Sequence, residues 1–201
     1  MIEKGLIVSI QNFSQETTIE LANLAVKSGA VAIRTDKPLE NNIVTIGLEK
    51  LENKQYYITT TKNSIINVSK WANYVAIDCR KGNNDLEFLL AFCHMMNIKV
   101  IADISTKEDS QNILDICNNQ NIIKPAFFAT TFNYEKNSTE KANIIYELKN
   151  ITKIPIIAEG GYNEYKDINL SLKAGADYIC IGAAISDIKK LTEKYKRMLD
   201  G

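Results

Sequence analysis

The feature of this sequence that most restricts its fold is a repeated alternation of short, nearly continuous apolar runs with longer amphipathic stretches. Eight runs recur, at Leu6 to Ile10, Val31 to Arg34, Ile43 to Gly47, Tyr74 to Asp78, Ile98 to Asp103, Pro125 to Thr130, Ile154 to Glu159 and Tyr178 to Gly182. Runs of this kind are the mark of strands buried on both faces, inside a parallel sheet covered by helices. Glu16 to Ser28, Asp85 to Met96, Lys107 to Asn118, Thr139 to Asn150, Tyr165 to Ala174 and Asp187 to Leu199 carry the helical pattern between them. Around Gly29 and Gly175 the order is helix, glycine stop, strand, as expected of repeated βα units. The second connection is thin, since Asp36 to Asn42 leaves room for about two turns at ~3.6 residues each. A further run, Tyr56 to Thr60, reads as an extended piece within the third loop.

Eight such strands form either an open doubly wound sheet or a closed barrel. The dinucleotide fingerprint G-x-G-x-x-G is absent after the first run, which favours closure. The expected fold is therefore an α/β (β/α)8 TIM barrel, one domain over residues 1–201, near the short end of the range for that architecture. Zero formal net charge removes the electrostatic reason to expect nucleic acid or an anionic membrane as partner. The apolar stretch Leu6 to Ile10 is too short for a signal-peptide core or a membrane span, so a cytoplasmic location is expected. Cys79, Cys93, Cys117 and Cys180 form no CxxC pair and have no histidine at ligand spacing; they read as reduced, mostly buried thiols, with no metal site.

In a barrel of this kind the chemistry sits at the carboxyl ends of the strands, and nearly every run here ends in a polar residue. In order they are Gln11, Arg34, Lys50 just beyond Gly47, Asp78, Asp103, Thr130 with Thr131, and Glu159. Closure gathers these around one pocket. The small-residue turns Gly160-Gly161 and Gly182-Ala183 let backbone N–H groups approach an anion, which points to a phosphorylated substrate. Structural roles compete at several positions. Asp78 is also placed to cap the turn into Arg80 to Asn84, and Ser105 with Glu108 has the spacing of a capping box. His94 falls on the outer helical layer, Trp71 reads as packing, and the basic run Lys189, Lys190, Lys194, Lys196 and Arg197 reads as a solvated helix face.

With "GLIVSIQ" at Gly5 to Gln11, "GAVAIR" at Gly29 to Arg34, "IGLEK" at Ile46 to Lys50, "AIDCR" at Ala76 to Arg80, "ADIST" at Ala102 to Thr106, "IPIIAEGGYN" at Ile154 to Asn163 and "AGADYICIGAAI" at Ala174 to Ile185, the whole chain resembles the bacterial N-acetylmannosamine-6-phosphate 2-epimerases. The resemblance implies the isomerisation of N-acetylmannosamine 6-phosphate and N-acetylglucosamine 6-phosphate at C2, with no cofactor. It puts Lys50 and Glu159 at the family's acid/base positions, and Gln11, Arg34 and Asp103 where the sugar and its N-acetyl group are oriented. Asp78 and Thr130 join these as substrate contacts by their place at strand ends, and Gly160, Gly161, Gly182 and Ala183 as the phosphate cradle. Removing a proton beside a carbonyl needs a base, an acid and a stabilised enolate. Lysine is a base only when neutral, and a partly desolvated mouth with Arg34 nearby lowers its pKa in the required direction.

The chain departs from the family in three loops. The third loop is shorter than usual before "YYITTT". Ser186-Asp187 stands where an arginine is usual, and Ala129-Thr130-Thr131-Phe132-Asn133-Tyr134 replaces a glycine-bearing Gly-Thr-Thr-x-Ser-Gly-Tyr segment. Two alternatives follow: a catalytically silent paralogue that binds a sugar phosphate, or an epimerase of another phosphosugar. Barrels of this class often pair, so a homodimer is the assembly to test.

Overall fold

The computed structural model of the chain describes residues 4–40, 42–50, 58–131 and 136–200. Among these residues the strands are β1 (Gly5–Ile10), β2 (Ala32–Thr35), β3 (Thr45–Gly47), β4 (Tyr74–Asp78), β5 (Val100–Ile104), β6 (Phe127–Thr130), β7 (Ile156–Glu159) and β8 (Tyr178–Ile181). Each lies parallel to its sequence neighbour and β8 pairs with β1, so the sheet closes into the expected (β/α)8 barrel. Around it run α1 (Gln15–Lys27), α2 (Lys62–Ser69), α3 (Leu86–Met95), α4 (Lys107–Gln120), α5 (Ser138–Ile151), α6 (Tyr165–Lys173), the single turn α7 (Ala183–Ser186) and α8 (Ile188–Asp200). None of these helices is long and apolar enough to cross a membrane.

Several strands begin later than their apolar runs because the first residues of a run serve the preceding connection. Ile98 closes the end of α3, its N–H donating to Cys93 O at 2.9 Å, so β5 starts at Val100. Pro125 and Pro155 have no N–H for the ladder, and β6 and β7 start just after them. The second connection carries no helix among its described residues; Pro38 interrupts it, and its carbonyl accepts from Gln15 Nε2 at 2.7 Å. Of the extra extended piece, Ile58 forms an antiparallel bridge to Lys50, while Tyr56 and Tyr57 lie outside the described residues. The capping box of α4 is shifted by one residue from expectation. Thr106 and Asp109 form it, because Thr106 is the last residue with extended backbone, and Ser105 instead donates to Thr131 O at 3.2 Å.

Two apolar layers hold the barrel. One lies between sheet and helices, where Val75, Ile77, Ala102, Ile104, Phe128, Ile156 and Ala158 meet α2 to α6, with Trp71 packed against it. The other fills the barrel itself with Ile7, Ala32, Ile46, Ala76, Ile101, Ala129 and Ile157. Its floor is aromatic. Phe127 meets Tyr74 edge-on at 5.3 Å and Tyr178 at 5.4 Å, which seals the amino-terminal end of the barrel. The plug is therefore at the end opposite the strand termini, and the carboxyl mouth is left to polar groups. The four cysteines are buried and unbridged.

Candidate active site

Side chains alternate across a strand, so the position two residues beyond an inward apolar residue also faces inward. Continuing from Ile7, Ala32, Ala76, Ile101, Ile157 and Tyr178, the next inward residues are Ser9, Arg34, Asp78, Asp103, Glu159 and Cys180. They stand side by side across the ladder, Ser9 opposite Arg34, Asp78 opposite Asp103 and Glu159 opposite Cys180. An apolar barrel thus changes to a polar one within a single pleat.

Arg34 and Asp103 are each only 3% exposed. The guanidinium grips Asp103 with both terminal nitrogens, NH2 to Oδ2 at 2.6 Å and NH1 to Oδ1 at 3.2 Å. Its Nε lies 3.2 Å from Glu159 Oε1, without the alignment of a hydrogen bond. One cation therefore serves two carboxylates, and it serves Asp103 better. At an effective dielectric of about 20 a contact at that range is worth ~5 kcal/mol, comparable with the several kcal/mol that each buried ion loses in leaving water. The guanidinium stays charged: burial opposes it, and Asp103 and Glu159 together outweigh burial. Glu159 is the weaker partner, and its Oε2 is buried with no hydrogen-bond partner. Burial pushes its carboxyl up to about 7; Arg34 pulls the other way, Asp103 adds to the rise, and the adjacent Cys180 thiol eases it slightly. Asp103 is also raised by burial, against the pull of Arg34.

Above this layer opens a cavity of about 590 Å³, lined by Gln11, Lys50, Glu159, Gly160, Gly161, Gly182 and Ala183 together with Ser9, Asn12, Tyr162, Asn163 and Cys180. Lys50 Nζ donates to Asn12 Oδ1 at 3.0 Å. Asn12 has the left-handed φ of 67° that asparagine tolerates best among residues bearing a Cβ, and its N–H reaches Asp36 Oδ2 at 3.4 Å. Burial lowers the pKa of Lys50, Asp36 opposes the change and Arg34 adds to it, with a net fall. Gln11 Nε2 donates to Ser9 Oγ at 2.7 Å. Gly160 and Gly161 have φ of 98° and 65°, so the chain turns at the end of β7 in a way that a side chain would strain.

Seven of the residues singled out in the sequence line this cavity, and four do not. Arg34 and Asp103 lie beneath it as the support of Glu159. Asp78 is held by Arg80, through backbone N–H at 3.2 Å and side-chain Nε at 2.8 Å, the turn-capping alternative. Thr130 faces away from the barrel interior, one residue out of phase with Ala129, and its hydroxyl ties β6 to β7. It accepts from Glu159 N–H at 2.9 Å and donates to Glu159 O at 3.1 Å. Phe132, Asn133 and Tyr134 of the altered loop lie outside the described residues.

Sequence reasoning missed Asn12, whose position next to Gln11 at a strand end was the available signal. Lys189 and Lys190 are solvent-exposed, as the sequence suggests, and both also line the cavity at its rim, a placement the sequence did not reveal. Asp187, at the same rim, caps α8 by accepting from Lys190 N–H at 3.0 Å. His94 is exposed on α3 and accepts from Ile123 N–H at 3.3 Å, on the outer layer as expected.

Comparison with known proteins adds to this geometry. A family model described as "Putative N-acetylmannosamine-6-phosphate epimerase" matches residues 18–200. A protein of Caldanaerobacter subterraneus subsp. tengcongensis with the corresponding 2-epimerase name is 30% identical over 220 residues, which cover 96% of this chain and 90% of that protein. One of Malacoplasma penetrans, similarly named, is 26% identical over 227 residues, 99% of this chain and 96% of the other. Among solved structures, the N-acetylmannosamine-6-phosphate 2-epimerase from Clostridium perfringens superposes with a TM-score of 0.79 at 22% identity, over 98% of this chain and 94% of that one. That last likeness speaks for the fold; the match along most of the chain speaks for descent. The chain belongs to the N-acetylmannosamine-6-phosphate epimerase family.

Proposed function

We propose that the chain interconverts N-acetylmannosamine 6-phosphate and N-acetylglucosamine 6-phosphate by removing the proton at C2 and returning it to the opposite face. The observation that carries this reading is that Lys50 and Glu159 share one cavity with their proton affinities displaced toward each other. Lys50 is lowered by burial and by Arg34, and Glu159 is raised by burial to about 7. A base and an acid on opposite sides of C2 must exchange roles between the two directions of reaction, and each displacement toward the other lowers the cost of that exchange. Arg34 and Asp103 act on Glu159 from below. Gln11 and Asn12 face the sugar, and Gly160, Gly161, Gly182 and Ala183 receive the phosphate beneath the rim lysines Lys189 and Lys190.

The test is proton exchange. In deuterated solvent the substrate takes up deuterium at C2, and Lys50→Ala and Glu159→Gln each abolish uptake. A folded wild-type protein that exchanges nothing, beside an active relative, refutes the reading. Tight binding of the sugar phosphate without exchange identifies the silent paralogue, a reading favoured by the Asp187 carboxylate at the anion-binding rim. Uptake only with another hexose or hexosamine phosphate identifies the related epimerase. The expected homodimer has a surface to bury in the exposed Ile188, Tyr195, Met198 and Leu199 of α8, and sedimentation equilibrium measures it.

A further inference from the structure

Lys141 is a charged residue with no part in the chemistry so far, yet it is only 2% exposed. It stands in the first turns of α5, outside the barrel, and does not line the cavity. Its ammonium donates to the carbonyl oxygen of Gly161 at 2.6 Å, lies 3.7 Å from Asp167 Oδ1, and sits 4.9 Å from the centroid of the Tyr162 ring. Asp167 on α6 is fixed in turn by Ser138 Oγ at 2.6 Å, and its other oxygen accepts from Asn163 N–H at 3.5 Å. The Tyr162 hydroxyl is tied to Ser171 Oγ at 2.7 Å. The turn after β7 is therefore held from behind at Gly161, Tyr162 and Asn163.

We propose that Lys141 is a positioning residue for anion binding, turning the Gly161–Tyr162 peptide so that its N–H faces the cavity. The reason is the planarity of the peptide bond. In a trans peptide the carbonyl of one residue and the N–H of the next point in opposite directions, and this chain has no cis bonds among its described residues. Drawing the Gly161 oxygen toward Lys141, on the helix side, directs the Tyr162 N–H to the opposite side, where Gly161 and Tyr162 line the cavity. No group among the described residues accepts from that N–H. Gly161, with φ of 65°, has no Cβ to restrict the backbone, so the turn alone admits more than one peptide orientation and an external hold selects one. Asp167 balances the ammonium, so Lys141 acts through the carbonyl and not as a direct ligand.

The inference rests on the phosphate reading of this cavity, and inorganic phosphate tests the two separately. In wild-type protein labelled with nitrogen-15, phosphate is expected to move the Tyr162 amide proton downfield. A chain that binds no phosphate there overturns the phosphate reading and the inference with it. Phosphate that binds while the Tyr162 amide stays in place overturns the inference alone. Lys141→Met should weaken phosphate binding and raise KM for the sugar phosphate by roughly 10- to 100-fold, the worth of one charge-assisted hydrogen bond. The same variant should leave kcat, and C2 exchange of the unphosphorylated sugar, near wild type; Lys141→Arg should restore part of the phosphate affinity. A fall in kcat with unchanged phosphate binding contradicts the proposal. The amide measurement needs no variant, so it decides even if Lys141→Met fails to fold.

Discussion

The displaced proton affinity of Glu159 has a consequence for stability that is separable from catalysis. The carboxyl rises from an ordinary 4.5 to about 7 in the folded chain because burial disfavours its charge more than Arg34 favours it. The folded state then binds this proton more tightly than the unfolded state does. Stabilisation from protonated Glu159 is complete below about pH 4.5 and is lost as pH rises through about 7. A rise of that size corresponds to about 3 kcal/mol. Glu159→Gln keeps the shape and has no proton to lose, so wild-type stability relative to the variant should fall by about 3 kcal/mol between pH 4.5 and pH 8. Urea unfolding at a series of pH values reads this as a relative shift of roughly 1 M in midpoint, with m unchanged. Asp103, raised in the same direction, titrates in both proteins, and its electrostatic coupling to Glu159 is part of the difference that is read. A difference curve flat across this range would refute the reasoning. One sloping the other way would mean that the attraction of Arg34 exceeds the cost of burial.

Arg34→Met leaves the buried Asp103 and the part-buried Glu159 without their cation and should cost about 3–5 kcal/mol in chemical denaturation; a loss under about 1 kcal/mol would contradict the burial of the Arg34–Asp103 pair. Thr130→Val removes the hydroxyl that clamps the Glu159 backbone on both sides, and should cost about 1–3 kcal/mol with a fall in kcat, whereas a direct substrate contact would raise KM instead. The pH profile of kcat/KM should be bell-shaped, because activity needs one proton shared between Lys50 and Glu159; its acid limb should fall near 7 and its alkaline limb below 10.5. Asn12→Ala removes the acceptor of the Lys50 ammonium and puts alanine at φ 67°, so circular dichroism melting should show a loss of about 1–2 kcal/mol, with reduced kcat.

What the sequence determined by itself was the architecture and the neighbourhood of the chemistry. Eight apolar runs with helical spacers admit few topologies, and the polar residue ending nearly every run marks one end of the barrel. The phase of each strand was beyond its reach. A strand buried on both faces is apolar on both, so nothing in a run such as Phe127–Thr130 says which alternate residues point inward. Closure of the barrel decided that Arg34, Asp103 and Glu159 meet in its interior while Thr130 turns outward to hold β7. It also decided that Asp78 is taken by Arg80, that the second connection is too short and too interrupted for a helix, and that Lys141, 20 residues from Gly161, braces its turn. Proton affinities belong to the same class of facts. They depend on how deeply a group is buried and on which charges face it across the barrel, and both exist only once the chain has closed.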